Sequence, residues 1–123
     1  MKVLVVDDER DVQVLFEQRF RKEIRNDEIS FAFAFSGEEA LEYLSEHGHE
    51  AVLILSDINM PGISGLELLR RIKQQFMAPP PVVMMITAYG DDENYQSAMR
   101  LGADDFLTKP LDFSILKEKL KEI

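Results

Sequence analysis

No cysteine occurs among the 123 residues, so no disulfide staples the fold, and the chain fits a reducing compartment. Nor does any apolar run approach the roughly 20 residues that a membrane-spanning helix needs. Met1-Lys2 is followed by only four apolar residues before Asp7 and Asp8. A secretory leader needs an apolar stretch of about 7–15, so a cytoplasmic setting is expected. Basic charge is also scarce: 14 Lys and Arg against 23 Asp and Glu leave a formal charge of −9. A broad nucleic-acid surface or a docking face for anionic lipid needs clustered Lys and Arg, so neither partner is expected. Cations and basic proteins suit this balance better, although it also serves solubility.

What is present suffices for one domain spanning residues 1–123. Hydrophobic residues make up 46 % of the chain, enough for a layered core at this length. Val3 to Val6 is a short β-branched run of the kind that forms a strand buried on both faces. Val12, Leu15, Phe16, Phe20 and Ile24 recur at helical spacing and predict one helix packed on the sheet. Ile29, Phe31, Phe33 and Phe35 alternate with Ser30, Ala32 and Ala34, a strand with bulky residues on one face and small ones on the other. Ser36 with Glu39 predicts a capping box that opens the next helix, with Ala40, Leu41 and Leu44 as its stripe and Gly48 past its end.

Ala51 to Leu55 predicts a third strand that runs into Ser56-Asp57. Pro61 and Gly62 stand where a type II turn wants them, and Ser64 with Glu67 predicts a second capping box. Ala78 to Pro81 reads as an extended spacer. Val82 to Ile86 predicts a fourth strand ending at Thr87. Asp91 to Leu101 predicts a weakly amphipathic helix stopped by Gly102. Asp105 to Thr108 predicts a fifth strand, broken by Pro110, and Asp112 can cap a last helix carrying Ile115, Leu116, Leu120 and Ile123. The order is (βα)5, without linker or low-complexity segment. Such alternation predicts an α/β fold, a parallel sheet with helices on both faces. Its functional residues belong beyond the carboxyl ends of the strands.

Charged and polar residues collect at those ends. Asp7 and Asp8 follow the first strand, Asp57 ends the third, Thr87 ends the fourth and Lys109 follows the fifth. Two like charges about 5 Å apart at an effective dielectric near 20 repel by roughly 3 kcal/mol. Three clustered carboxylates therefore either take up protons or bind a cation. An acidic pair after a strand is common and can be no more than a helix cap. Thr87 and Lys109 change that reading, because a hydroxyl and an ammonium bind an anion. A pocket holding acids, a hydroxyl and a lysine suits Mg²⁺ together with a phosphoryl group. Asp57 is then the nucleophile that forms an aspartyl phosphate, with the metal and Lys109 offsetting charge on the transferred oxygens.

The segments VLVVDDE, ILSDINMPGISGLELL, MMITAY and GADDFLTKPLD, in this order and spacing, resemble the marker segments of response regulator receiver domains. The resemblance covers essentially the whole chain. It implies a flavodoxin-like, doubly wound five-stranded sheet in the order 2-1-3-4-5. It implies a switch in two-component signal transduction that accepts phosphate at Asp57 from a histidine kinase or a histidine phosphotransfer protein. Asp8, Asp57 and the backbone carbonyl of Asn59 resemble Mg²⁺ ligands, with Asp7 acting through a metal-bound water. Thr87 resembles the hydroxyl that moves to the phosphoryl oxygen, Lys109 its cationic partner, and Ala88 the small residue beside it. The resemblance also implies a cis Lys109-Pro110 peptide.

Phe106 resembles the aromatic switch position, often tyrosine; here the hydroxyl is missing, and packing has to drive any movement. An output domain or effector protein, or a second copy, is implied at the face made by the fourth helix, fifth strand and fifth helix. By the same resemblance Asn59 and Tyr89 flank the route of water to the acyl phosphate, positions that vary in the family and tune its lifetime, and the domain is not an enzyme beyond its own Mg²⁺-dependent phosphorylation and dephosphorylation.

Two other readings share parts of this pattern. A haloacid-dehalogenase-type phosphatase wants a second aspartate two residues after the nucleophile, where this chain has Asn59. An unphosphorylated pseudo-receiver typically loses the acceptor or the acidic pair, and this chain keeps both. Met84 and Met85 read as core, His47 and His49 as loop residues without metal spacing, and Asp91-Asp92-Glu93 as a helix-capping cluster.

Overall fold

The computed structural model describes residues 1–47, 50, 53–75, 81–88 and 90–123. The elements run β1 (Lys2–Val6), α1 (Asp11–Arg19), α2 (Arg21–Arg25), β2 (Ser30–Ala34), α3 (Gly37–His47), β3 (Leu53–Asp57), α4 (Gly65–Gln75), β4 (Val82–Ala88), α5 (Asp92–Arg100), β5 (Asp105–Lys109) and α6 (Phe113–Leu120). The five strands form one sheet in the order β2-β1-β3-β4-β5, and every pairing is parallel. This is the expected flavodoxin-like topology.

Strand alternation divides the core into two layers. Val3, Val5, Leu53, Leu55, Met84 and Ile86 point to the side covered by α1 and α6, where Phe16, Phe20, Leu116 and Leu120 meet them. Leu4, Val6, Ile54, Val83 and Met85 point to the opposite side and pack under Ala40 and Leu44 of α3, Leu68, Leu69 and Ile72 of α4, and Ala98 of α5. The alternation in β2 sorts as predicted. Phe31 and Phe33 join the first layer, and Ala32 and Ala34 the second, where small side chains let α3 approach.

The predicted first helix is divided. Helix α1 ends and α2 begins around Phe20, whose backbone leaves helical geometry at φ −110° and ψ 20°. Its ring is buried among Phe16, Phe31 and Phe113 at centroid distances of 6.0, 5.1 and 6.0 Å. The turn at Phe20 accompanies the docking of that ring. The face predicted from the fourth and fifth helices is therefore made by α5, β5 and α6.

Other local expectations resolve individually. Ser36 caps Glu39 N–H at 3.0 Å, while Glu39 Oε1 accepts from Phe35 N–H at 3.4 Å. Ser64 caps Glu67 N–H at 3.2 Å. The Glu67 carboxylate does not complete that second box, because Arg70 holds it at 2.6 and 2.7 Å. Gly62 has the positive φ of 75° that a type II turn requires. Asp91 caps α5 and Asp112 caps α6. His47 ends α3 rather than lying in a loop. Gly48, His49, Ala51, Val52 and the spacer residues 78–80 lie outside the described residues.

Phe16 is fully buried and meets Phe20, Phe31, Phe33 and Phe113 within 6.3 Å. Phe16→Ala should lower unfolding stability by about 3–5 kcal/mol, since it leaves a cavity in a close-packed cluster. Urea denaturation followed by circular dichroism measures this; a loss below about 1 kcal/mol would mean that the cluster collapses around the gap.

Candidate functional site

The parallel topology brings the carboxyl ends of β1, β3, β4 and β5 together in that order. Asp7 and Asp8 leave β1, Asp57 closes β3, Thr87 and Ala88 close β4, and Lys109 closes β5. Carboxylate oxygens of Asp7, Asp8 and Asp57 all lie within 4.8 Å of one another. Asp7 and Asp57 are buried and Asp8 is exposed. Lys109 starts beside Ala88 in the sheet register and reaches over the end of β4, placing Nζ 2.9 Å from Asp57 Oδ2. The Lys109-Pro110 peptide that follows is cis.

Each acid is set by its backbone. Asp7 N–H donates to Ala34 O on β2 at 3.1 Å, and Asp7 Oδ1 accepts from Glu9 N–H at 2.9 Å. Asp57 closes a strand that is buried at all five positions. The backbone after it is clamped: Ile58 N–H donates to Ile86 O at 3.2 Å, and Gly65 N–H donates to Ile58 O at 2.7 Å.

Gly65 has to be glycine for this close approach. A Cβ there would stand 2.0 Å from the carbonyl oxygen of Asp57 and 2.6 Å from Ile58 Cα. Glu38 steadies the other end of the same loop, its Oε1 accepting from Ile63 N–H at 3.3 Å. Neither residue emerges from the sequence as a contributor to the site. A glycine directly behind the capping Ser64 is the one visible signal for Gly65. Glu38 reads as any exposed acid of a first helical turn.

The electrostatics show a crowded anionic site with one internal cation. Burial pushes the Asp7 carboxyl above the ordinary aspartate value, and the neighbouring Asp57 charge adds to this; the Glu9 N–H and Lys109 oppose it without cancelling it. Burial works against the Lys109 ammonium, but its hydrogen bond and charge pairing with Asp57, reinforced by Asp7 and Glu9, hold its pKa above the ordinary lysine value. A single ammonium thus faces three carboxylates. The three carboxylates offer oxygen donors with residual negative charge, which fit a hard divalent cation.

Thr87 is buried at the same rim, yet its hydroxyl donates to the carbonyl of Ala88, at the long distance of 3.5 Å. It stands near the acids without engaging them. Asn59 is exposed on the loop leaving β3. Phe106 is half-buried, and its ring centroid lies 4.5 Å from that of Tyr95 on α5. The sequence does not single out Tyr95, since an exposed aromatic on a weakly amphipathic helix carries no distinguishing pattern. Tyr89 lies outside the described residues.

Residues 3–121 match the family model for the response regulator receiver domain. Response regulator RppA of Synechocystis is 32 % identical over 123 residues, which cover 100 % of this chain and 50 % of that protein. The chain spans about half, or less, of the length of the curated relatives it matches. Among solved structures, the Vibrio cholerae chemotaxis protein CheY4 superposes with a TM-score of 0.83 at 25 % identity, covering 99 % of this chain and 97 % of that one. A chain from the co-crystal of the Saccharomyces cerevisiae histidine phosphotransfer protein Ypd1 with the receiver domain of Ssk1 superposes with a TM-score of 0.85 at 27 % identity, covering 99 % and 87 %.

The raised Asp7 pKa has a sign that can be tested. The folded state binds the Asp7 proton more tightly than the unfolded chain does, so stability falls as pH rises from the ordinary value of 3.8 through the raised one. Asp7→Asn removes that charge and keeps an acceptor for Glu9 N–H. In metal-free buffer at neutral pH the variant should be more stable than the parent, by up to roughly 3 kcal/mol if the repulsion is fully relieved. Thermal unfolding with chelator present reads this out; an unchanged or lower midpoint would show that the three acids do not repel.

Proposed function

The chain belongs to the response regulator receiver family of two-component systems, and from that premise we propose that it is a switch thrown by phosphorylation of Asp57. Receiver domains are generally signalling switches, not conventional enzymes, and the chemistry assigned to this one is confined to its own acyl phosphate. The observation that carries the reading is Lys109 Nζ at 2.9 Å from Asp57 Oδ2 beside two further carboxylates within 4.8 Å.

The donor set fits Mg²⁺: Asp8, Asp57 and the Asn59 carbonyl would hold it, with Asp7 through a water, and it would supply positive charge toward the phosphoryl oxygens. An Asp57 carboxylate oxygen forms the new O–P bond as the P–N bond of a donor phosphohistidine breaks, and the donor imidazole keeps the electron pair. Lys109 keeps its ammonium at the acceptor and pairs with the incoming oxygens. The donor is a histidine kinase or a histidine phosphotransfer protein, a reading favoured by the Ypd1 co-crystal neighbour. The domain acts in the cytoplasm, where such donors present their phosphohistidine; among the described residues no helix is long and apolar enough to cross a membrane.

Phosphorylation adds nearly two negative charges and three acceptor oxygens. The Thr87 hydroxyl, held among the described residues by a long bond to Ala88 O, turns to one of them. Phe106 follows into the vacated space and shifts against Tyr95. One or two charge-assisted hydrogen bonds at about 1.5–3 kcal/mol each move a two-state equilibrium about ten- to several-hundredfold. The output is read at the face of α5, β5 and α6, where Tyr95, Met99 and Ile115 are exposed at 40, 49 and 48 %. An effector, an output domain or a second copy docks there.

Incubation with Mg²⁺ and acetyl phosphate should add the mass of one phosphoryl group, read by intact mass spectrometry. Asp57→Asn should abolish the gain, and Lys109→Ala should lower the rate by about 10²-fold or more. Thr87→Ala should still accept phosphate but lose the accompanying shift of Tyr95 and Phe106 resonances. Retention of the gain in Asp57→Asn, or steady turnover of a small phosphomonoester, would overturn the proposal.

Mg²⁺ should also raise the thermal midpoint, by the equivalent of about 2.7 kcal/mol at a hundredfold excess over the dissociation constant. That increment should vanish in Asp57→Asn.

A further inference from the structure

Against a body of net charge −9, the corner formed by α1 and α2 is basic. Residues 19–25 carry four of the 14 Lys and Arg and one of the 23 Asp and Glu, which puts this segment at +3 and the remainder at −12. Arg19, Arg21, Lys22 and Arg25 are exposed. With Lys117 of α6 they line a shallow depression of about 490 Å³. Glu23 is the one carboxylate in this lining, and it is already paired with Lys117 at 3.0 Å. The four cations of the segment take part in none of the ion pairs among the described residues.

Two members of the group are held in place by rings. Arg19 Cζ lies 5.5 Å from the Phe113 centroid, and Lys117 Nζ lies 5.1 Å from that of Phe20. Part of the entropy cost of fixing long side chains is thereby met before any ligand arrives. Helix α1 starts beside the acidic pocket and runs back along the sheet, so this corner lies at the end remote from Asp57. Gln18 also lines the adjoining depression, where Val14 and Leu15, exposed at 57 and 38 %, separate the cations from Glu9 and Asp11 near the start of α1.

We infer that the α1–α2 corner is a docking surface for an acidic segment of a partner protein, with glutamates or aspartates meeting Arg19, Arg21, Lys22 and Arg25 and an apolar edge covering Val14 and Leu15. The combination of cations with a neighbouring apolar patch matches the composition of protein interfaces, where arginine is enriched and apolar contacts sit beside a charged rim. The depression is too open to enclose a small phosphorylated molecule, which needs most of its surface buried. An extended polyanion fits poorly as well. Duplex nucleic acid carries one charge per about 1.7 Å, and it or an anionic bilayer would press against the exposed Glu17, Asp27 and Glu28 that flank the corner. A compact acidic segment avoids them. The inference is independent of phosphorylation at Asp57.

The test uses the full 123-residue chain, isotope-labelled, titrated by NMR with a blocked peptide of glutamates around a Leu-Leu pair. Saturable shifts are expected at Leu15, Gln18 and residues 19–25. Affinity should fall about tenfold between low and physiological salt. The triple variant Arg21→Glu, Lys22→Glu, Arg25→Glu should lose about tenfold or more in affinity, whereas Arg100→Glu on α5 should bind like the parent. If charge reversal disturbs folding, the triple glutamine variant carries the test and should lose affinity in the same direction. Absence of saturable shifts, equal affinity in a folded triple variant, or inorganic tripolyphosphate displacing the peptide at lower concentration than the peptide itself needs would each overturn the inference.

Discussion

The contact between Lys109 and Asp57 is the constraint around which the molecule is arranged. It joins β5 to β3 across the end of β4, a span possible because a lysine stem is long and Ala88 beside it is small. It also brings one ammonium to three carboxylates, two of them buried, which leaves the pocket anionic. Isolated buried charges are expensive, and hydrogen bonds from Glu9 N–H and from Lys109 offset only part of that cost. The remaining repulsion is what a divalent cation would relieve, since excess negative charge sits on oxygens fixed by the strand ends.

Such a site needs a stiff floor. The floor is the buried central strands, with β3 closed on both faces by the two core layers and the five-ring phenylalanine cluster filling much of the α1 and α6 side. The loop after Asp57 is equally confined. Gly65 presses its backbone onto Asp57, and Glu38 holds Ile63 from α3. Packing is sparser on α5, which buries only Ala98 and leaves Tyr95 and Met99 exposed. Packing is therefore densest beneath the acidic pocket and thinner on α5. The two sides differ in the physical quantity that governs local stability, the buried apolar contact each element makes.

Phe106 illustrates how one substitution redistributes such coupling. A tyrosine at this position could record its state through a hydroxyl bond. Phenylalanine cannot, so its position is set by ring packing, and the ring it packs on belongs to Tyr95. The aromatic pair ties α5 to β5 through one ring contact. The basic α1–α2 corner lies at the end of α1 remote from the acidic pocket. Charge is thus separated between an anionic pocket and a cationic corner.

The strand and helix order, the layer assignment of β2 and the identity of Asp7, Asp8, Asp57, Thr87 and Lys109 as residues at strand ends were legible in the sequence. These depend on short-range rules: period-two and period-3.6 burial, caps, and turns at Pro and Gly. The family resemblance extended this to sheet order and proposed roles. Tertiary structure alone decided which groups touch. It divided the first helix at Phe20, because a ring docking among distant aromatics outweighed local helical preference. It gave Glu67 to Arg70 instead of its own N-terminus, required glycine at 65 through contact with a strand end eight residues earlier, and set Tyr95 against Phe106. It also gathered Lys117 with the cations of α2. These outcomes depend on through-space distances between segments far apart in the chain, and local patterning carries no information about such distances until the sheet has closed.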